Sequence, residues 1–216
     1  MTARWMTRAA FLAAMTATAL LASAPLAHAA RNNEAEAYVQ ANASQALASL
    51  SPNAPSQQFY QLMTRFSDMP RIANFVLGRY GSQLRGDATL RAEWTQAFQD
   101  YSIAVYQARL DRFSGASIRV TGSVERVAGS DVIVVSEITP RGGGRATPVQ
   151  WRILKQGNVW KVVDVSLVLE GNEIWLAQQQ QRDFLAALEQ NNGNIRALIS
   201  TVRQSTASLR QRTARG

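Results

Sequence analysis

The chain has 216 residues, no cysteine, one histidine (His28) and a formal net charge of +8 at pH 7. The absence of cysteine excludes disulfide bonds and thiol catalysis. His28 is the only residue that could supply the histidine of a catalytic triad or of a zinc site, so a chain that lost it would have neither. The excess of arginine predicts contact with anionic lipid headgroups or acidic protein surfaces rather than with nucleic acid.

Residues 1–29 have the three parts of a secretory signal peptide. Arg4 and Arg8 precede an apolar run over residues 9–21, and Ala27-His28-Ala29 matches the small-residue cleavage pattern. An uncleaved membrane anchor is the alternative, but spanning a bilayer requires about 20 apolar residues, more than this run supplies. We expect cleavage after Ala29, which removes the only histidine and releases a soluble protein into the bacterial periplasm.

The remaining residues, 30–216, fit one domain with a substantial core. Their first half has the 3.6-residue spacing of amphipathic helices. We expect helices over residues 33–50, 56–66, 68–80 and 87–115. Asp68 and Asp87 stand where helix N-caps belong.

The second half changes to the two-residue alternation of strands. We expect four strands over residues 118–125, 132–139, 149–155 and 159–169, joined by short turns. Two helices, over residues 174–189 and 195–209, then close the chain, and the basic segment from Arg203 is expected to be a frayed, solvent-exposed tail. The order of these helices and strands along the chain predicts an α+β fold, with helices on one face of a curved, mainly antiparallel four-stranded sheet.

Few residues suggest catalysis. The glycines at 142–144 precede a strand rather than a helix, so they predict a hairpin loop and not a phosphate-binding loop. Strand alternation puts Asp164 on the same face as Trp160 and Val162. There it is either a buried acid of raised pKa or an acid bonded to a turn at the sheet edge. A buried carboxylate in this fold leaves open a small isomerase or dehydratase that uses Asp164.

Large apolar side chains converge on the interior. The aromatic residues expected to face inward are Trp94, Phe98, Tyr101, Tyr106, Trp151, Trp160, Trp175 and Phe184. An ordinary filled core and a cavity for an apolar ligand produce the same pattern. The residues alone therefore leave this question open.

The order of several short motifs resembles one known family. The first motif is Asp68, the acidic residue before Ile72-Ala73 and Leu77-Gly78, and the second is the aromatic helix from Trp94 to Tyr106. The third is the strand Val159-Trp160-Lys161-Val162-Val163-Asp164-Val165. The last is formed by the closing segments Gln181-Arg182-Asp183-Phe184, Asn192-Gly193 and Leu198-Ile199. They resemble the MlaC-type periplasmic phospholipid-binding proteins of the maintenance-of-lipid-asymmetry system, also called the toluene-tolerance family. The resemblance covers nearly all of the mature chain, although residues 165–181 are several residues longer than the family pattern, with Glu170 to Glu173 as the excess.

The resemblance implies a lipid carrier rather than an enzyme. Such a protein holds phospholipid acyl chains in an apolar pocket and passes lipid between an inner-membrane ABC transporter complex and an outer-membrane lipoprotein–porin complex. It implies a monomer with no cofactor, metal or catalytic residue, in which Asp164 is structural. A carrier of another lipid, such as a hopanoid, and a pure interaction module stay open.

Under this resemblance, strand alternation and helical spacing select the residues expected to bind the lipid. On the sheet side they are Val132, Val134, Val149, Trp151 and Ile153. On the helix side they are Val76, Leu77, Tyr80, Phe98, Tyr101, Val105, Trp175 and Leu176.

Overall fold

The structure is a computed structural model that describes residues 31–50, 56–110, 113–169 and 171–213. The segment expected to be a signal peptide, residues 1–29, lies outside the described residues. The helices are α1 (Asn33–Ala48), α2 (Ser56–Phe66), α3 (Met69–Val76), α4 (Ala88–Leu110), α5 (Leu176–Gln190) and α6 (Ile195–Thr213), with a 3-10 segment at Gly78–Leu84. The strands are β1 (Ser117–Val127), β2 (Asp131–Thr139), β3 (Thr147–Gln156), β4 (Val159–Leu169) and β5 (Asn172–Trp175).

Both expected helix caps are confirmed. The Asp68 carboxylate accepts a hydrogen bond from the backbone N–H of Arg71 at 3.1 Å, and that of Asp87 accepts one from Leu90 at 2.8 Å. The helix that begins after Asp68 is shorter than expected, because Gly78 adopts a φ of +51° that ends α3 and starts the 3-10 segment.

The expected α+β fold is confirmed, with a correction to the number of strands. The strands form one antiparallel sheet in the order β1-β2-β3-β4-β5. The fifth strand contains Ile174 and Trp175, which were expected in a helix. Ser166 of β4 pairs with Trp175, so the residues around Glu173 form a hairpin before α5 begins.

A β-bulge corrects the expected position of Asp164. The register between β3 and β4 shifts between Arg152 and Ile153, which pair with Asp164 and Val162 respectively, so Val163 is an extra residue in β4. One extra residue reverses the alternation that follows it. Asp164 therefore lies on the face opposite Trp160 and Val162.

The helices cover one face of the sheet, called the inner face here and marked by Val132, Val134, Val149 and Ile153. These four side chains are at most 1% exposed, and they belong to a continuous hydrophobic core that includes residues of every helix. Burial of this face against the helices removes apolar surface from water and so stabilises the fold.

The basic C-terminal segment differs from the expected frayed tail. It continues α6 to Thr213, with Val202 and Thr206 buried and Arg210 paired with Asp100 of α4 at 3.2 Å. Among the helices of the described residues, none is long and apolar enough to cross a membrane.

Candidate functional site

A cavity of about 70 Å³ lies between the inner face of the sheet and the helices; we call it the main cavity. All of its lining side chains are apolar or aromatic. They are Ala43, Ala46, Leu47 and Leu50 near α1, Phe59, Met63 and Phe66 of α2, Tyr106 of α4, Ile138, Val149, Trp151, Val165 and Leu167 of the sheet, and Leu176 of α5. An apolar cavity of this kind can hold hydrocarbon.

Helices α1 and α2 each contribute side chains at helical spacing to the walls of the main cavity. Ala43 and Leu47 of α1 are four residues apart, so they lie on the same side of the helix, and both are buried and line the cavity. Phe59, Met63 and Phe66, at helical spacing on α2, form the facing wall. Local sequence therefore sets both walls, while the gap depends on how the two helices meet the sheet.

Trp151 forms the floor of the main cavity and is only partly buried, although it lies on the inner face of the central strand. Its indole Nε1 donates a hydrogen bond to the Ser136 hydroxyl at 2.8 Å, and that hydroxyl donates in turn to the Val149 carbonyl at 3.2 Å. Because the indole N–H is paired on the sheet, the ring can present apolar surface to the cavity.

Phe66 connects this floor to α1 through ring contacts. Its ring centroid lies 5.7 Å from that of Trp151 and 5.6 Å from that of Tyr38. The Tyr38 hydroxyl donates to the Phe66 carbonyl at 3.1 Å, and burial raises the pKa of Tyr38 to about 12. Tyr38 thus stays neutral and fixes the C-terminal end of α2 at physiological pH.

A second cavity of about 30 Å³ lies beside the main cavity. The two share five lining residues, namely Met63, Phe66, Tyr106, Trp151 and Val165. The other lining residues of the second cavity are Ser67, Met69, Ile72, Val162, Val163, Asp164 and Ala177. The two spaces therefore adjoin at these five residues.

Asp164 lies at the far side of the second cavity and is 7% exposed. Its Oδ1 accepts hydrogen bonds from the backbone N–H of Ala177 at 2.8 Å and of Val165 at 2.9 Å. Burial raises the pKa of the Asp164 carboxyl, while these two bonds and the charge of Arg152 oppose the rise. The contacts identify Asp164 as a cap for the first turn of α5, and it does not line the main cavity.

Outside the second cavity, a groove of about 570 Å³ runs between the sheet, α3 and α5. Arg71, Arg152 and Arg182 line this groove. Arg71 pairs with Asp68 at 3.0 Å and Arg152 with Asp131 at 2.9 Å, whereas Arg182 donates to the Gln179 side chain. Two of the three arginines are thus largely neutralised by neighbouring carboxylates.

The structure brings together three of the residues expected to bind lipid. Val149, Trp151 and Leu176 line the main cavity. Six others are buried in the core without lining either cavity, namely Val76, Leu77, Phe98, Val132, Val134 and Ile153.

The remaining four expected residues lie further away. Tyr101 and Val105 line a groove between α4 and α6, and Trp175 is on β5. Tyr80 is in the 3-10 segment, where its ring packs under the Arg79 guanidinium at 4.9 Å.

Most of the helical lining was not among the expected residues. Phe59, Met63 and Phe66 have the correct helical spacing in the sequence, and Ala43 and Leu47 are one turn apart. Those spacings indicate a buried face but not an unfilled one. In the part of the chain that the structure describes, no group of three or more histidine, aspartate or glutamate residues could hold a metal ion.

The chain and its fold are similar to known proteins. A family model described as MlaC protein matches residues 32–204. The fold is similar to that of a solved structure described as a phospholipid-binding protein from Ralstonia solanacearum in complex with a phospholipid. The TM-score is 0.67 at 21% sequence identity, covering 81% of this chain and 98% of that one. No curated protein sequence matches the chain.

Proposed function

The chain belongs to the MlaC family, and on that premise we propose that it binds a phospholipid by enclosing acyl chains in the main cavity. The observation that carries the proposal is the chemistry of the lining, in which every side chain is apolar or aromatic. Hiding an acyl chain there removes apolar surface from water, at about 25 cal/mol for each Å². The structural similarity to a phospholipid complex supports the same ligand class.

We further propose that the protein is a carrier and not an enzyme. It would act as a monomer in the periplasm after loss of residues 1–29, and would pass lipid between an inner-membrane ABC transporter complex and an outer-membrane lipoprotein–porin complex. The position of Asp164 supports this choice over an isomerase or dehydratase. Its Oδ1 is already bonded to two backbone N–H groups, and its partner across the strand pair, Arg152, is engaged by Asp131.

The test is lipid analysis of the exported protein. The full chain is expressed, purified from the periplasm and extracted with organic solvent, and we expect close to one phospholipid per protein by mass spectrometry. Delipidated protein should melt at a lower temperature than loaded protein, because a ligand that binds only the folded state stabilises it. Absence of extractable lipid, together with no melting shift on adding phospholipid, would contradict the proposal. A phosphorus-free polycyclic lipid in the extract would instead support a hopanoid carrier.

A pair of variants on α1 tests the site itself. Ala43→Phe places a ring in the main cavity, whereas Ala41→Phe adds the same ring to the exposed side of the same helix. We expect the first variant to lose most of its bound lipid and the second to retain it. Equal lipid content in both would place the lipid elsewhere.

A further inference from the structure

The two cavities are both small. At about 70 Å³ and 30 Å³ they lie below the ~300–1,000 Å³ typical of pockets that enclose drug-sized ligands. A lipid can therefore enter only if lining side chains move. Displacing one of the five shared side chains would both join the two spaces and add the volume that this side chain now fills.

Three of the five shared residues are held in place by specific contacts or by the backbone. Trp151 is bonded to Ser136, and Phe66 packs between the rings of Tyr38 and Trp151. Val165 is a short, β-branched residue on a paired strand, which leaves its side chain little freedom.

Met63 differs from those three residues. It is 8% exposed and unbranched, with three rotatable side-chain bonds, so it can change shape without giving up a hydrogen bond. Tyr106, the remaining shared residue, would have to move a rigid ring. Met63 is thus the shared residue that can move at the lowest cost.

We propose that the second cavity receives the far end of an acyl chain and that Met63 is the movable divider between it and the main cavity. The combined space would then fix the length of chain that the protein accepts, with Met69 and Ala177 at its closed end. This inference rests on the proposed function, since it assumes that acyl chains occupy the main cavity.

The lining of the second cavity is consistent with a hydrocarbon terminus. Ten of its twelve residues are apolar or aromatic. The exceptions are Ser67 and Asp164, and the Oδ1 atom of Asp164 is already occupied by two backbone N–H groups. A chain end that reaches this space would contact mainly Met69, Ile72 and Ala177.

The experiment measures chain-length preference. Delipidated protein is offered an equimolar mixture of diacyl phosphatidylglycerols that differ only in acyl length, and the bound fraction is identified by mass spectrometry. Ala177→Leu fills the second cavity, and Ala186→Leu makes the same change at an exposed position of the same helix. We expect Ala177→Leu to shift the preference to shorter chains, with the ratio of bound shorter to longer chains changing about fourfold for each methylene group that no longer fits. We expect Ala186→Leu to behave as the wild type.

Met63→Ala provides the opposite change and does not depend on the folding of Ala177→Leu. Joining the cavities permanently should enrich longer chains relative to the wild type. Bound lipid with an unchanged length distribution in Met63→Ala, or in a folded Ala177→Leu protein, would overturn this inference and leave the proposed function intact. A wild-type protein that binds none of the lipids would overturn the proposed function as well.

Discussion

The carboxylate of Asp164 on β4 accepts a hydrogen bond from the backbone N–H of Ala177 at 2.8 Å, so a strand residue caps the first turn of α5. The residue at the N-cap position, Trp175, has no side chain that could do so. The free N–H groups and the dipole at a helix N-terminus favour a nearby carboxylate. Asp164 therefore joins the last long strand to the helix that contributes Leu176 to the main cavity.

This geometry predicts how stability depends on pH. Burial raises the folded-state pKa of Asp164 above the ordinary value of an aspartate, so the folded protein holds this proton more tightly than the unfolded chain does. The contribution of Asp164 to stability consequently falls as the pH rises from about 3.8 through the folded pKa. Asp164→Asn keeps an acceptor oxygen for Ala177 but does not titrate.

We expect the free energy of unfolding of the wild type, minus that of Asp164→Asn, to decrease as the pH is raised through this window. Urea unfolding curves at several pH values measure the difference. The subtraction is needed because three other carboxyl groups change stability in the opposite direction as the pH rises. The pKa values of Glu34, Glu36 and Glu125 are lowered, chiefly by hydrogen bonds from Lys155, Arg31 and Asn32 respectively. A difference that increases with pH would mean that the hydrogen bonds to Asp164 outweigh its burial.

The face of Asp164 could not be predicted from alternation. The pattern of β4 is compatible with an uninterrupted strand, and the single extra residue at Val163 appears only when β4 is aligned with β3. The fifth strand was missed for a related reason. Ile174 and Trp175 continue directly into a helix, and four residues are too few to show a period of their own. The longer elements were predicted correctly because each carries several turns or alternations.

The hydrogen bond between Trp151 and Ser136 provides a second prediction. Ser136 is fully buried, so Ser136→Ala leaves the indole N–H without its partner and should cost about 1–3 kcal/mol in stability. Trp151→Phe removes the donor, and in that background the same serine substitution should cost less. Urea unfolding of the four proteins gives the coupling energy. Additive effects would show that the bond contributes nothing to stability.

The cavity itself was only partly predictable. Val149 and Trp151 follow from strand alternation, but Val134 and Ile153 share the same face and are fully buried in the core. Whether an inward residue meets a neighbour or empty space depends on the side chains that α1 and α2 place opposite it. Periodicity reports the direction of a side chain and not the volume across from it.

Export gives a third prediction, for residues outside those the structure describes. We expect the mature protein to begin at Ala30, because residues 1–29 have the basic, apolar and small-residue parts of a signal peptide. Intact-mass measurement of the periplasmic protein tests the cleavage site. Ala29→Phe should block cleavage at this position, since a bulky residue replaces the small one. Retention of residues 1–29 by the wild type in the membrane fraction would contradict the expected export.

The final prediction distinguishes cavity from filled core at two neighbouring positions. Val149 and Val134 lie on the inner face of adjacent strands and are equally buried, but only Val149 lines the main cavity. Asparagine is similar to valine in size but polar. At position 134 its amide has no room for water and should cost about 1–3 kcal/mol or more in stability.

At position 149 the amide faces a cavity of about 70 Å³, which has room for water that the amide itself can hydrogen-bond when no lipid is bound. We therefore expect Val149→Asn to leave the stability of the delipidated protein almost unchanged and to weaken lipid retention, because a bound acyl chain would displace that water. Urea unfolding of delipidated protein and lipid content after purification are measured for both variants. Equal losses of stability in the two, with normal lipid content in Val149→Asn, would show that Val149 belongs to the ordinary core.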